Sequence, residues 1–173
     1  PRRPPAALRT WQGSGGVRGA TGEDASQGAA YVFTRTDGIW NESQRLAASD
    51  GQPFDQFGSK LVLDHDTLTA SAVWSLSRPG AVYVFTNSGG IWSESQKLTA
   101  SDGAILDLFG TSVSNSGHIL VVGANAAKIC DNYGKGAASV FAAPHGIWVE
   151  TQKPLADDGA HYATPDSTGA LQS

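Results

Sequence analysis

The chain has 173 residues, of which 40% are hydrophobic and 16% charged, and its formal net charge is -4. This composition is typical of a globular protein, and the weak acidity argues against a nucleic-acid partner, because a phosphate-binding face needs clustered Lys and Arg. There is no run of about 18 apolar residues, so the sequence predicts no membrane span. The N-terminal residues lack the apolar core of a secretory signal peptide.

The residues that open the chain do not follow the pattern of the rest. They include GGVR at residues 15–18, at a place where later parts of the chain have strongly apolar runs. A regular pattern is recovered at Gly19-Ala20-Thr21, which lies 52 residues before Ser71-Ala72-Val73. We therefore predict an irregular, pattern-free segment at residues 1–18 and a partial structural unit at residues 19–51.

A repeat dominates the sequence from residue 28 onward. Residues 28–58 (GAAYVFTRTDGIWNESQRLAASDGQPFDQFG) recur almost unchanged at residues 80–110, and a partial third copy begins at Gly136. Trp40, Trp92 and Trp148 mark the same position in each copy, 52 and then 56 residues apart. A period of this length predicts a repeat architecture in which each unit buries its faces against its neighbours.

Each copy begins with a β-hairpin. Tyr31-Val32-Phe33 is a β-branched and aromatic run, and the turn-forming pair Asp37-Gly38 separates it from a second arm that starts at Ile39-Trp40. The arm ends at a further turn signal, Ser49-Asp50-Gly51.

A second hairpin follows in each unit, after Phe57-Gly58 in the first case. Its arms are residues 60–63 and 67–73, with a turn at Asp64-His65-Asp66. In the next copy the turn is predicted at Asn115-Ser116-Gly117, and the apolar run at residues 119–122 predicts a strand buried on both faces. A complete unit is thus four short antiparallel strands, and we predict complete units at residues 52–103 and 104–159.

The connection between the two hairpins varies in length. It has six residues at 22–27 and at 74–79 and ten at 126–135. Insertions at one repeated connection map to one rim of a repeat protein, where binding loops are usually found. After residue 159 the pattern is lost again, and we predict a disordered or degenerate tail at residues 160–173.

These motifs resemble FG-GAP repeats, the blades of the integrin α-chain type of β-propeller. The resemblance is carried by Phe57-Gly58, Phe109-Gly110, Gly19-Ala20, Gly123-Ala124 and the GAxYVF and GxWxExQ blocks. It covers roughly residues 19–159 and is closest to the bacterial extracellular branch of the family. It implies an all-β fold, an incomplete β-propeller of four-stranded antiparallel blades with a period of 52–56 residues.

Many members of this family carry an Asp-x-Asp-x-Asp-Gly calcium loop between the first two strands of a blade. Here one such place, Ser114-Asn115-Ser116-Gly117, has no carboxylate, and the other has only Asp64 and Asp66. Calcium needs six to eight oxygen ligands, so a plain polar turn is favoured there. We predict no metal site and no cofactor, and calcium near Asp64 and Asp66 is left as the alternative.

The other repeated polar and aromatic residues favour structural roles. The tryptophans could form a sugar-binding row, but packing between neighbouring blades explains their recurrence first. The repeated Glu and Gln are expected to hydrogen-bond between strands or blades, and the repeated Asp to cap turns. These residues are Trp40, Trp92 and Trp148; Glu42, Glu94 and Glu150; Gln44, Gln96 and Gln152; Asp50, Asp102 and Asp158; and Asp55 and Asp107.

No catalytic constellation is predicted. His65, His118, His145 and His161 fall in predicted turns or the tail, with no shared context, and Cys130 is the sole cysteine. Nucleophilic catalysis needs a base and an orienting acid beside the nucleophile, and no such grouping is evident.

The resemblance implies a non-enzymatic binding or adhesion module, extracellular or on the cell surface, whose rim loops contact a protein or a glycan. Two alternatives stay open. The chain could be the scaffold portion of a propeller enzyme, a polysaccharide lyase or hydrolase with its active site outside this chain, or a scaffold that spaces other domains. Because two complete units cannot close a ring of four to eight blades, we expect neighbouring blades of a longer chain or self-association.

Overall fold

The computed structural model describes residues 9–10, 15–22, 25–74, 77–127 and 136–154. These residues form only β-strands and turns, as predicted. Within this part of the chain, no helix is long and apolar enough to cross a membrane.

Twelve strands form three antiparallel four-stranded sheets in which each strand pairs with its neighbour in sequence. The first sheet contains β1 (Arg9–Thr10), β2 (Gly15–Ala20), β3 (Ala29–Thr36) and β4 (Ile39–Leu46). The second contains β5 (Phe57–Asp64), β6 (Thr67–Ala72), β7 (Ala81–Ser88) and β8 (Ile91–Leu98). The third contains β9 (Phe109–Ser116), β10 (Ile119–Ala124), β11 (Ala137–Ala142) and β12 (Val149–Gln152).

The third and fourth strands of each sheet form its outer hairpin. This hairpin carries a β-bulge at the same repeat position in every described sheet. In the first sheet the register shifts between Val32 and Phe33, and the Oγ of Ser43 donates a hydrogen bond of 3.1 Å to the Val32 carbonyl. The other two sheets have the same bulge, with Ser95 and Thr151 as the donors. A side-chain hydroxyl therefore satisfies a carbonyl beside the point where the ladder is interrupted.

Each interface between neighbouring sheets contains aromatic side chains that cluster on one of its two sheets. Phe57, which is fully buried, lies edge-on to Tyr83 and Phe85, with ring centroids 5.5 and 5.9 Å apart. In the second interface Phe109 makes the same kind of contact with Phe141 at 6.2 Å. Each interface has its own hydrophobic core, which combines one face of each of the two sheets it joins.

The glycines of the Phe-Gly and Gly-Ala motifs allow the backbones of neighbouring sheets to meet. A Cβ atom on Gly28 would lie 2.2 Å from the Phe57 carbonyl oxygen, and one on Gly80 would lie 2.3 Å from that of Phe109. Gly58 has a positive φ of 87°, and a Cβ atom on it would lie 2.6 Å from the Ala29 carbonyl oxygen. No side chain fits at these positions, which explains why glycine recurs there.

The sheets are arranged as blades of an incomplete β-propeller. The first strands β5 and β9 approach each other closely, whereas the outer strands β4 and β8 make few contacts. The sheets therefore splay outward from their first strands.

The predicted irregular segment at residues 1–18 is wrong for the part that the structure describes. Arg9–Thr10 forms β1, and β2 begins at Gly15, so the boundary predicted at residue 19 falls inside a strand. Residues 15–20 pair along their whole length with β3, and Val17 is 3% exposed in the first core. Strand pairing uses main-chain groups, so a single apolar residue directed into the core, Val17, is enough for residues 15–20 to form a strand.

Two predictions for the third sheet also need correction. The inner turn lies at Gly117-His118, because β9 continues to Ser116 and pairs it with Ile119. The apolar run in β10 is buried on one face only, with Ile119 48% and Val121 38% exposed. Among the described residues only the second sheet packs on the third, so the opposite face has no neighbouring sheet. The equivalent β6 in the middle of the stack is buried on both faces.

Several predictions lie outside the described residues. They concern the tail at 160–173, Cys130, Asp158, His161 and most of the connection at 126–135.

Candidate functional site

The repeated glutamines join the sheets through hydrogen bonds to the main chain. Gln44 in the first sheet donates from Nε2 to the Trp92 carbonyl at 2.7 Å and accepts from the Trp92 amide at 2.9 Å. Gln96 makes the same pair of bonds with Trp148, at 2.6 and 2.8 Å. We call this two-bond arrangement the glutamine clamp.

The repeated tryptophans and glutamates also lie at the boundaries between sheets. Trp92 and Trp148 are 8% and 7% exposed, so neither offers a ring face to a sugar. Glu94 accepts bonds from the Ser49 amide and hydroxyl, at 2.9 and 2.8 Å, and Glu150 accepts one from the Ser101 amide at 2.8 Å. The structural interpretation of these residues therefore fits the observed contacts.

A charged network reinforces the boundary between the first and second sheets. Asp50 accepts hydrogen bonds from the Tyr83 hydroxyl at 2.6 Å, from Lys97 at 2.6 Å and from Arg78 at 2.8 Å. Arg78 also contacts Asp55, which is buried. The sequence analysis missed Arg78, Tyr83 and Lys97 as partners, although a lysine stands at the equivalent position 153 and contacts Asp102.

This network fixes the ionisation of its central groups. Partial burial acts to raise the pKa of Asp50, but the bonds from Lys97 and Tyr83 and the charge of Arg78 outweigh it and lower the pKa to about 2. For Tyr83, burial and the neighbouring Asp50 carboxylate both raise the pKa. Asp50 is therefore a carboxylate and Tyr83 a neutral phenol near neutral pH, which is a structural arrangement rather than a catalytic one.

The candidate binding site is a cleft between the second and third sheets, at the rim formed by their inner turns. Its volume is about 340 Å³. We call it the turn-rim cleft. It is lined by Asp64, His65, Asp66, Thr67, Thr86, Gly117, His118, Ala143, Gly146 and Trp148.

Asp64 bridges the two sheets beneath this cleft. Its Oδ2 accepts a hydrogen bond from the Gly117 amide at 2.7 Å, and its Oδ1 lies 2.7 Å from His65 Nδ1. The bond from Gly117 is the main reason why the pKa of Asp64 is lowered. The Oδ2 bond thus holds the two turns together, whereas the Oδ1 contact stays within the turn of the second sheet.

His65, Asp66, Thr86 and His118 are exposed polar residues of the cleft. Asp66 contacts the Asn87 amide group at 3.4 Å, and its carbonyl accepts a bond from the Asn87 backbone amide at 2.9 Å. No group of three or more His, Cys, Asp or Glu residues suited to a metal is found in the described part of the chain. The polar turn at Asp64 and Asp66, with calcium binding as its alternative, stays a prediction.

The structure brings together His65 and His118, which the sequence analysis left without a shared context. They come from corresponding inner turns of neighbouring sheets. The sequence gives no direct sign that they lie together, because His65 stands two residues after a predicted strand and His118 follows a glycine. His145 lies in an exposed turn and does not line the cleft.

Two parts of the chain, residues 40–85 and 92–141, match the family model described as FG-GAP repeat. Together they cover more than half of the 173 residues. The chain belongs to the FG-GAP repeat family. This confirms the family predicted from the Phe-Gly and Gly-Ala motifs, whereas the assignment to its bacterial branch stays a prediction. A comparison with curated proteins gave no match.

Proposed function

We propose that this FG-GAP repeat protein is a non-enzymatic binding or adhesion module, extracellular or on the cell surface, that holds its ligand at the turn-rim cleft. The observation that carries the proposal is the cleft itself, an opening of about 340 Å³ with exposed acidic and imidazole groups on a scaffold of paired strands. Ligand sites are concave and combine apolar walls with a few placed polar groups.

The chemistry of the cleft fits a polar ligand. Asp66 can accept hydrogen bonds, and His118 can donate or accept them, while Thr67 and Thr86 add hydroxyls. Apolar lining comes from Ala143 and from the edge of Trp148. A hydroxylated glycan or a polar loop of a protein would satisfy these groups.

The family supports the non-enzymatic part of the proposal, because FG-GAP repeat proteins are generally non-enzymatic, and it supports the extracellular part because they are typically extracellular. A role as the scaffold of a propeller lyase or hydrolase would place the reacting groups elsewhere.

The test is binding of the purified chain to immobilised glycans and to extracellular matrix proteins, followed by titration of the best ligand. We expect Asp66→Asn and His118→Ala each to weaken binding about tenfold or more, because each removes a polar contact in a partly enclosed site. Asp37→Asn changes an exposed turn of the first sheet, outside the cleft, and should leave the affinity unchanged. Failure to bind either ligand class, or equal affinities for all variants, would contradict the proposal.

A further inference from the structure

The two ends of the stack present complementary halves of an interface that the chain already forms twice. On the third sheet, Ile119, Val121, Ala138 and Val140 form what we call the aliphatic face. On the first sheet, Tyr31, Phe33 and Trp40 form what we call the aromatic face. In the described residues, neither face is covered by another sheet.

In the second sheet, the faces that correspond to the aliphatic face and the aromatic face are both covered by neighbouring sheets. Val82 and Val84, which correspond to Ala138 and Val140, are fully buried against the third sheet. On the other side, Tyr83, Phe85 and Trp92 are 0%, 3% and 8% exposed against the first sheet. Each of the two internal interfaces therefore joins an aliphatic face of one sheet to an aromatic face of the next.

Polar groups at the two ends are complementary in the same way. Gln152 corresponds to Gln44 and Gln96, but its side chain is exposed and has no hydrogen-bond partner within the described ranges. Trp40 corresponds to Trp92 and Trp148, yet in those same ranges no glutamine clamps its main chain. The third sheet thus offers the amide side chain of Gln152, and the first sheet has the Trp40 main chain without such a partner.

We propose that a second copy of this chain occupies the ends, with the aliphatic face of each copy on the aromatic face of the other. Gln152 of one copy then clamps the main chain of Trp40 in its partner. Such head-to-tail contacts close into a ring when the rotation allows it. Two copies supply six sheets, twice the three that the described residues of one chain form, and six lies within the four to eight blades of β-propellers.

Two residues of β2, paired with Phe33 and Tyr31 of the aromatic face, bear on the strength of this contact. Gly16 and Arg18 stand where the second sheet has Leu68 and Ala70, both fully buried. Arg18 would be brought against an aliphatic face that offers no carboxylate, and removing a charge from water without a partner is costly. The association is accordingly weaker than the contacts between sheets within a copy.

The first experiment is sedimentation equilibrium of the 173-residue chain over a micromolar concentration range. We expect a particle of about 36 kDa, twice the 18.0 kDa of one chain. Gln152→Ala should weaken the dimer about tenfold, because it removes two hydrogen bonds. Arg18→Ala should strengthen it about tenfold by removing the unpaired charge.

The matched control is Ile91→Asp. Ile91 is 65% exposed, and its counterparts Ile39 and Ile147 are 65% and 67% exposed, so this position lies outside the contacts between sheets. The variant should dimerise like the unmodified chain. A monomer at all concentrations would overturn the proposal, and so would an Arg18→Ala variant that dimerises more weakly.

A mixing experiment tests the head-to-tail geometry. Phe33→Asp blocks the aromatic face and Val121→Asp the aliphatic face, and each variant alone should be monomeric. Mixed in equal amounts, they retain one intact face each and should form a heterodimer through a single interface. Circular dichroism confirms that both are folded. Dimerisation of either variant alone, or no heterodimer in a mixture of folded variants, would contradict the proposed pairing.

Discussion

Individual side chains determine how neighbouring sheets are held in register. The glutamine clamp uses one amide side chain to satisfy both the N–H and the C=O of a tryptophan in the next sheet. Because these main-chain groups lie beside a packed boundary, the loss of the glutamine leaves a donor and an acceptor unpaired. Such losses cost more than the net value of the bonds themselves.

Gln96→Ala is therefore expected to lower the free energy of unfolding by about 1–3 kcal/mol. Gln152→Ala is the matched control, since Gln152 is exposed and clamps no described residue. At concentrations where the chain is monomeric, its effect should stay within about 0.5 kcal/mol. Urea denaturation measures both values, and equal losses for the two variants would contradict the structural role of the clamp.

Asp50 gives the stability a defined dependence on pH. Its folded-state pKa of about 2 lies below the ordinary value of 3.8, so the carboxylate form is favoured by folding. The corresponding stability is fully present above about pH 5 and is lost as the pH falls through 3.8 towards 2. Asp50→Asn should lower stability at pH 6 and flatten the decline between pH 4 and 2. An unchanged acid profile in thermal melts of the variant would refute this assignment.

At the scale of the strands, the glycine of the Phe-Gly motif allows the backbones of two neighbouring sheets to approach closely. Gly58 combines a positive φ of 87° with a backbone oxygen 2.6 Å from the site of a Cβ atom. Gly90 has nearly the same φ, 89°, but open space around it. The pair separates the cost of backbone conformation from the cost of steric overlap.

Gly90→Ala should destabilise the protein by about 1–2 kcal/mol, the cost of a left-handed conformation for a residue with a Cβ atom. Gly58→Ala should cost about 1–3 kcal/mol more, because the added methyl group forces the first and second sheets apart. Urea denaturation of both variants provides the measurement. Similar losses in the two would show that the approach of the sheets is not limiting.

Much at this scale could be predicted from the sequence, because the repeat makes every local signal appear more than once. The hairpin turn at Asp37-Gly38 is predicted correctly. Phe57-Gly58 marks the second hairpin as predicted, but β5 begins at Phe57, before the predicted arm at residues 60–63. The turn-rim cleft could not be predicted, since it forms where turns of two different sheets meet. The Arg78 network could not be predicted because two of its members do not recur in every copy: Tyr83 corresponds to Tyr31 but is replaced by Ser139 in the third sheet, and Arg78 lies in a connection of variable length.

For the whole molecule, position in the stack decides whether a strand is buried on one face or two. Apolar content alone misled the prediction for β10: Val121 is 38% exposed, whereas the corresponding Thr69 of the middle sheet is fully buried. Thr69 tolerates burial because its hydroxyl contacts the Val62 carbonyl at 3.3 Å. Burial is set here by how many sheets flank the strand, which no single repeat encodes.

An aspartate introduced at the equivalent positions 69 and 121 should therefore lower the free energy of unfolding by different amounts. Thr69→Asp places an unpaired charge between two sheets and should lower the free energy of unfolding by about 3–5 kcal/mol. Val121→Asp leaves its charge in water and should cost less than about 1 kcal/mol in the monomer. Denaturation at low protein concentration compares the two, and equal costs would mean that the outer face of the third sheet is covered.

The glutamine clamp has a consequence for aggregation. An outer strand presents unpaired N–H and C=O groups on which a foreign strand can be templated, and proteins protect such edges with local devices. The clamp occupies these groups at Trp92 in β8 and at Trp148, the residue just before β12. At Trp40 in β4 no described glutamine does so, which makes this short stretch the place where amyloid-like strand addition would begin.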